Sequence, residues 1–313
     1  MNVLEETRVF EVEETTGEQR IDKYLSSIED SLSRSYLQKL IKDQQVLVNG
    51  VPVKSNYIVK AFDFVEVKVP APVALEILPE AIPLSILYED DDVIVIDKPK
   101  NMVVHPAPGH YTGTIVNALL YHCKDNLSGI NGVLRPGIVH RIDQDTTGVI
   151  VVCKNDKAHN SLAMQLKEHT ITRRYEAIVY HHFNEAETEG VVNAPIGRHP
   201  IDRKKMAINN KNGKEAITHY RLIRNLEQNL AHIECQLDTG RTHQIRVHMS
   251  SIHHPLLGDE VYGPAKSKFR LNGQTLHARV LGFIHPSTGV YMEFEAPLPA
   301  YFQELLHKLE NKL

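Results

Sequence analysis

The chain has 313 residues, 42% hydrophobic and 24% charged, with 35 Lys/Arg against 39 Asp/Glu for a net charge of −4. That composition supports a packed core and excludes a chain coated in positive charge, although local basic patches remain open. Three scattered cysteines, Cys123, Cys153 and Cys235, rule out a disulfide framework or a CxxC metal pair and point to a reducing compartment. The first residues are polar and acidic, unlike a secretory signal, and no apolar run approaches membrane-spanning length, so a cytoplasmic, non-membrane protein is expected.

In chain order, Val9 to Val12 suits an edge strand, with Phe10 and Val12 on one face. Ile21, Tyr24, Leu25 and Ile28 recur at helical spacing. Ser33 is placed to cap a second helix that turns Leu37, Leu40 and Ile41 inward. Val46 to Val53 reads as a hairpin with Asn49-Gly50 at its turn, and Ile58 to Val69 as a further strand pair. Together these predict a helix-helix-sheet unit with its core at about 18–70 inside a domain of residues 1–75. Pro70 to Pro83 holds four prolines and predicts a semi-extended linker, assigned to 76–83. A larger domain then spans 84–313.

In that domain, Val93 to Ile96 reads as a buried strand, Ile115 to Tyr121 as a helix, and Val149 to Cys153 as another buried strand. Asn155 or Asp156 caps a helix carrying Ala158, Leu162 and Leu166. Strands follow at Arg173 to Tyr180, Ala216 to Ile223, Leu230 to Leu237, Leu276 to Ile284 and Val290 to Phe294, with a closing helix over Tyr301 to Leu313. Strands outnumber helices without strict alternation, which predicts an α+β fold with a mainly antiparallel sheet. Arg198 to Glu215, rich in Asn and Gly, has six basic residues against two acidic ones and reads as a charged loop.

Two polar knots could carry chemistry. His140 to Thr147 puts an imidazole, a guanidinium and two carboxylates in eight positions, and Gly148 separates them from the following strand. If the chain is extended there, Arg141 and Asp143 project to the same side. Asp145 also fits a turn aspartate that bonds its own backbone. The second knot, Leu237 to His248, opens on the turn Asp238-Thr239-Gly240, and its Arg241 could pair with a buried carboxylate through its planar fork or sit on the surface. His243, His248, His253 and His254 lack the i, i+4 spacing of a helical ligand pair, so no metal is expected. Dinucleotide-binding, P-loop and nucleophile-elbow glycine patterns do not occur.

His140-Arg141-Ile142-Asp143-Gln144-Asp145-Thr146-Thr147-Gly148 resembles the His-Arg-Leu-Asp-x-x-Thr-Ser-Gly signature of the RluA/RluD-type pseudouridine synthases. Asp97-Lys98-Pro99, His105-Pro106, Arg174 to Ala177, Leu237 to His248, Gly258-Asp259, Tyr262-Gly263, His277-Ala278 and His285-Pro286 follow the same family in order. The departures are Ile142 for Leu, Gln144 where a basic residue is common, and Thr147 for Ser. The N-terminal unit resembles the small S-four-like RNA-binding module through Arg20 to Leu25, Ser33 to Ser35 and Ile41 to Gly50. Between Glu18 and Pro70 it carries eight Lys/Arg and seven Asp/Glu, so any positive field there must come from clustering.

The resemblance implies isomerisation of uridine to pseudouridine, with no cofactor. It carries Asp143 over as the essential carboxylate, Arg241 as its ion-pair partner and Tyr175 as the aromatic against the uracil. The target base must leave its stack to reach such a pocket, and Arg141 could fill the vacated place. Arg34 and Lys39 in the first unit, and Lys204 and Lys205 in the basic stretch, are the candidate RNA contacts. The implied partner is RNA, most of all large-subunit ribosomal RNA, with no obligate protein partner. Alternatives are a transfer-RNA pseudouridine synthase, a non-catalytic RNA-binding or ribosome-assembly protein of the same fold, and a glycosidase using Asp143 and Asp145, against which the absence of Trp counts.

Overall fold

A computed structural model describes residues 6–310 except 17, 30, 71–76, 108, 109, 125, 131, 133, 134, 203, 204, 265–267 and 270. The chain divides into two compact units, Met1–Leu75 and Glu76–Leu313.

The first unit runs β1 (Glu6–Glu11), α1 (Ile21–Ile28), α2 (Arg34–Lys42), β2 (Val46–Val48), β3 (Val51–Pro52) and β4 (Phe64–Val69). Its antiparallel sheet has the order β1-β4-β2-β3. Ile21, Leu25 and Leu37 from the helices meet Val46, Val65 and Val67 from the sheet in one core. Ser33 caps α2 by accepting from the Tyr36 amide. Asn49 and Gly50 at the hairpin turn both take positive φ, as a tight primed turn requires. The strand pair expected over Ile58 to Val69 is instead the single strand β4. Ile58 makes only an isolated bridge to Arg20, and Phe62 at φ 65° turns the chain before β4 begins.

The second unit contains β5 (Ser85–Glu89), β6 (Val93–Lys98), α3 (Ile115–Cys123), β7 (Thr147–Cys153), α4 (Asp156–Lys167), β8 (Thr172–Tyr180), β9 (Glu189–Asn193), β10 (Ile196–Arg198), β11 (Met206–Ile208), β12 (Ile217–Leu226), β13 (Leu230–Leu237), α5 (Gln244–Ser251), β14 (Leu276–Ile284), β15 (Tyr291–Glu295) and α6 (Ala300–Leu309). A nine-stranded sheet has the order β5-β6-β7-β14-β8-β13-β12-β9, with β15 also on β14. Its pairs are antiparallel apart from β7 with β14. Ile94, Ile96, Ile150 and Val152 turn to one face against α3, while Val93, Val95, Val149 and Val151 turn to the other against α4. Both faces are covered, which explains why β6 and β7 read as continuous apolar runs.

Three expectations change here. Gly148 lies inside β7 rather than before it: at φ 106° it lets β14 approach so closely that any side chain would strike the Ala278 backbone. The stretch from Arg198 to Glu215 is loop for most of its described residues but starts in a short hairpin, because β10 and β11 pair from Ile196–Ile208 to Arg198–Met206. The segment assigned as a linker is docked. Ile77 is buried in the main core, the Asn117 side chain donates to the Leu78 carbonyl at 2.9 Å, and the Glu80 amide donates to the Asn117 carbonyl at 2.9 Å.

Candidate active site

Asp143 sits in the connection that runs into β7 and faces a cavity of about 380 Å³. The walls bring together Arg141, Asp143, Thr146, Tyr175, Arg241, His243 and Arg246 from separated parts of the chain. This volume falls at the small end of ligand pockets, a suitable scale for one nucleoside.

The counter-charge of Asp143 is Arg246, not Arg241. Arg246 Nη1 donates to Asp143 Oδ2 at 2.9 Å, while its Nε and Nη2 grip Asp259 at 2.7 and 2.9 Å. One planar guanidinium therefore bridges two carboxylates in fixed directions, which a lysine could not do. Asp259 is fully buried. Burial pushes its carboxyl up, but the Arg246 guanidinium and the Val261 and Tyr262 amides outweigh that and hold it below its ordinary value. Arg246 itself is raised: burial opposes its charge, and the two aspartates overcome burial. Arg241 lines the same cavity, but its Nε donates to the Glu215 carbonyl at 2.8 Å, which ties α5's approach to the hairpin segment.

The correction has a physical cause. Arg241 precedes α5 in the turn, whereas Arg246 lies within the helix, where its side chain points along a direction set by the helix axis. Gln244 to Met249 are all buried, so no apolar stripe marks which side of α5 meets Asp143. The only available signal was the family-ordered stretch from Leu237 to His248, which contains both arginines.

Around this ion pair the site is tightly supported. His243 Nε2 lies 3.9 Å from Asp143 Oδ1, and its Nδ1 is 2.9 Å from the Tyr262 hydroxyl. Tyr175 stands on β8 between Cys235 of β13 and Ala278 of β14, and is 8% exposed at the cavity wall. Burial raises its phenol, so it stays protonated near neutral pH. Below the loop, Lys98 is fully buried and its ammonium donates to the carbonyls of Pro99, Met102 and Gln144 at 2.8, 2.9 and 2.8 Å. Burial pushes this amine down to about 7 against the pull of Asp145, Asp143 and Asp97. Three carbonyls converging on one nitrogen pin the peptide next to Asp143. Gly273 leaves room for Asp145, whose carboxyl burial raises.

The proposed RNA contacts differ in state. Arg141 is exposed at the cavity mouth. Lys39 is exposed on α2, but Arg34 is already engaged, donating to Asp22 at 2.9 Å. Lys205 is half-buried at the start of β11, and Lys204 lies outside the described residues. Of the histidines weighed as metal ligands, His248 meets Thr218 and the Ala194 carbonyl, and His254 meets the Tyr180 carbonyl. Glu89, His122 and Cys123 do come together. Glu89 is paired with Lys154 at 2.9 Å, however, and burial pushes the Cys123 thiol up to about 11, so the donor set is poor in negative charge.

Residues 92–251 match the family of RNA pseudouridylate synthases, and residues 19–65 match the S4 domain. An uncharacterized RNA pseudouridine synthase of Bacillus subtilis, YlyB, is 54% identical over 94% of this chain and 95% of its own length. Ribosomal large subunit pseudouridine synthase D of Zymomonas mobilis is 48% identical, with 93% of each chain covered. Among solved structures, human RNA Pseudouridylate Synthase Domain Containing 1 aligns with a TM-score of 0.55 at 26% identity, over 73% of this chain and 86% of that one. Relatives this similar along almost the whole chain, and a family match over half of it, make this protein a member of the RNA pseudouridine synthase family, an isomerase of RNA that carries an S4 domain ahead of its catalytic unit.

Proposed function

We propose that isomerisation in this protein depends on Asp143, with Arg246 as its fixed counter-charge and Tyr175 against the uracil, and that the substrate is uridine in large-subunit ribosomal RNA. The observation that carries the catalytic part is the chain Asp143–Arg246–Asp259. It holds Asp143 Oδ2, while Oδ1 accepts no hydrogen bond among the described residues and lies 3.9 Å from His243 Nε2. One carboxylate oxygen is thus held and the other faces the cavity. Attack on the anomeric carbon and removal of a sugar proton both draw on this second oxygen. The bond between the sugar and N1 breaks, the uracil turns, and a bond to C5 forms. C5 loses a proton and N1 gains one, so the balance closes without oxidant or reductant. Tyr175 offers the detached base an aromatic wall with a protonated phenol.

The S4 domain and the relatives named ribosomal large subunit pseudouridine synthase D, 48% and 43% identical, support the ribosomal target. Mapping pseudouridine across all cellular RNA with and without this protein tests it. Large-subunit sites should disappear, return with the wild-type gene and stay absent with Asp143→Asn. Loss confined to transfer RNA would overturn the target, and recovery with Asp143→Asn would overturn the carboxylate.

A further inference from the structure

We infer that His243 is a positioning residue for Asp143, aimed by Tyr262, and that the seat of the β10–β11 hairpin on Tyr262 completes this arrangement. The inference rests on the proposed role of Asp143. The Met206 amide at the start of β11 donates to the Tyr262 hydroxyl at 2.9 Å. That bond occupies an oxygen lone pair and directs the hydroxyl proton to His243 Nδ1, also at 2.9 Å. A neutral imidazole that accepts at Nδ1 carries its proton on Nε2, and Nε2 is the nitrogen that faces Asp143 Oδ1 at 3.9 Å. Arg246 holds the other oxygen. The two carboxylate oxygens are therefore addressed from two directions, one by a full charge and one by an N–H dipole.

The rings reinforce this aim. His243 precedes α5 at φ 57°, in the left-handed region, where His is among the enriched residues. Its ring meets Tyr262 edge-on at 5.7 Å and 77°, and Arg246 lies over the same tyrosine at 5.2 Å. Tyr262 thus braces both groups that address Asp143. The charges facing His243 are Asp143 and Asp259 on one side and Arg246 and Arg141 on the other, and burial keeps the imidazole neutral. At 3.9 Å a neutral N–H orients Oδ1 without neutralising it. The same tyrosine is the contact through which the basic hairpin reaches the reacting carboxylate, so a hairpin out of place would leave His243 with the wrong proton.

The test uses the full-length protein on total RNA from a strain lacking the gene, measuring pseudouridine formed at limiting and saturating enzyme. Gln places an N–H where His Nε2 stands, whereas Asn reaches only the Nδ1 position. His243→Asn should lower turnover at saturation about ten-fold, with half-saturation changed less than about two-fold. His243→Gln should recover most of that loss, and Tyr262→Phe should cost about three-fold. Wild-type turnover in His243→Asn, or equal losses in the Asn and Gln variants, would overturn the positioning role. Asp143→Asn in the same assay separates the two readings. If it is inactive while His243→Asn is unaffected, only the positioning role fails; if it is active, the carboxylate itself is misassigned.

Discussion

Each unit sets an aspartate beside arginine, and the two are built differently. Asp22 in α1 is fully buried and saturated: Arg20 reaches both of its oxygens at 3.0 and 3.3 Å, and Arg34 and Gln38 each donate to Oδ2 at 2.9 Å. Asp143 lines a cavity and has Arg246 on one oxygen. An arginine partner is common to both, so it does not mark a catalytic carboxylate; Asp22 is fully buried and Asp143 is half-buried. What distinguishes Asp143 is its place on a cavity wall, with one oxygen outside the Arg246 bond. The first unit closes its carboxylate to join α1 to α2, and the second leaves one partly open.

The largest effect should come from removing that oxygen's charge. Asp143→Asn keeps the shape and should lower turnover by at least about a thousand-fold, with RNA binding intact, as measured by pseudouridine formation and filter binding. Appreciable turnover would erase the contrast with Asp22.

Next is the arginine. Arg246→Lys cannot bridge two carboxylates, so turnover should fall about a hundred-fold and stability by about 3 kcal/mol as Asp259 is left without its fork. Arg241→Lys in the same assays should fall less than about ten-fold, because Arg241 meets a backbone carbonyl rather than Asp143. Equal losses in the two variants would return Arg241 to the reacting centre.

A third experiment separates the units. A protein starting at residue 76 keeps Ile77 in the core and the Leu78 carbonyl on Asn117, both of which a cut at residue 82 would remove. It should retain turnover on a short RNA but bind long ribosomal RNA about ten-fold more weakly, with a shallower salt dependence. Equal affinity and equal salt slope would remove the S4 domain from substrate binding.

The smallest effect sharpens the role of Asp22. Burial works against its charge, but Gln38, Arg34 and Arg20 hold the carboxyl at about 2, below its ordinary 3.8. A carboxyl lowered in this way adds stability that is present above its ordinary value and is lost as pH falls through 3.8 towards 2. Asp22→Asn should destabilise the first unit by about 1–2 kcal/mol, discounted because both arginines are about half exposed. It should also flatten that acid transition, followed by circular dichroism, and leave turnover on a short RNA unchanged. A large loss of turnover would mean that Asp22 does more than join helices.

The sequence by itself determined much of the local structure, since the deciding contacts lie within a few residues. Ser33 and Asn155 cap their helices, Asn49-Gly50 turns its hairpin, and Val93 to Ile96 and Val149 to Cys153 are strands. The crowding of charge around Asp143 was also plain, because polar groups packed between apolar runs need a reason to be there. Only the tertiary structure decided which arginine meets that carboxylate. Asp143 and Arg246 are 103 positions apart, and nothing in the local pattern distinguishes Arg246 from Arg241. The choice follows from where α5 is anchored and how its axis is turned, and packing over the whole second unit sets both. The same holds for Asp22 and Asp143. Each is an aspartate near arginine in sequence, and only the count of donors around its oxygens, assembled in three dimensions, separates the structural carboxylate from the one facing a cavity.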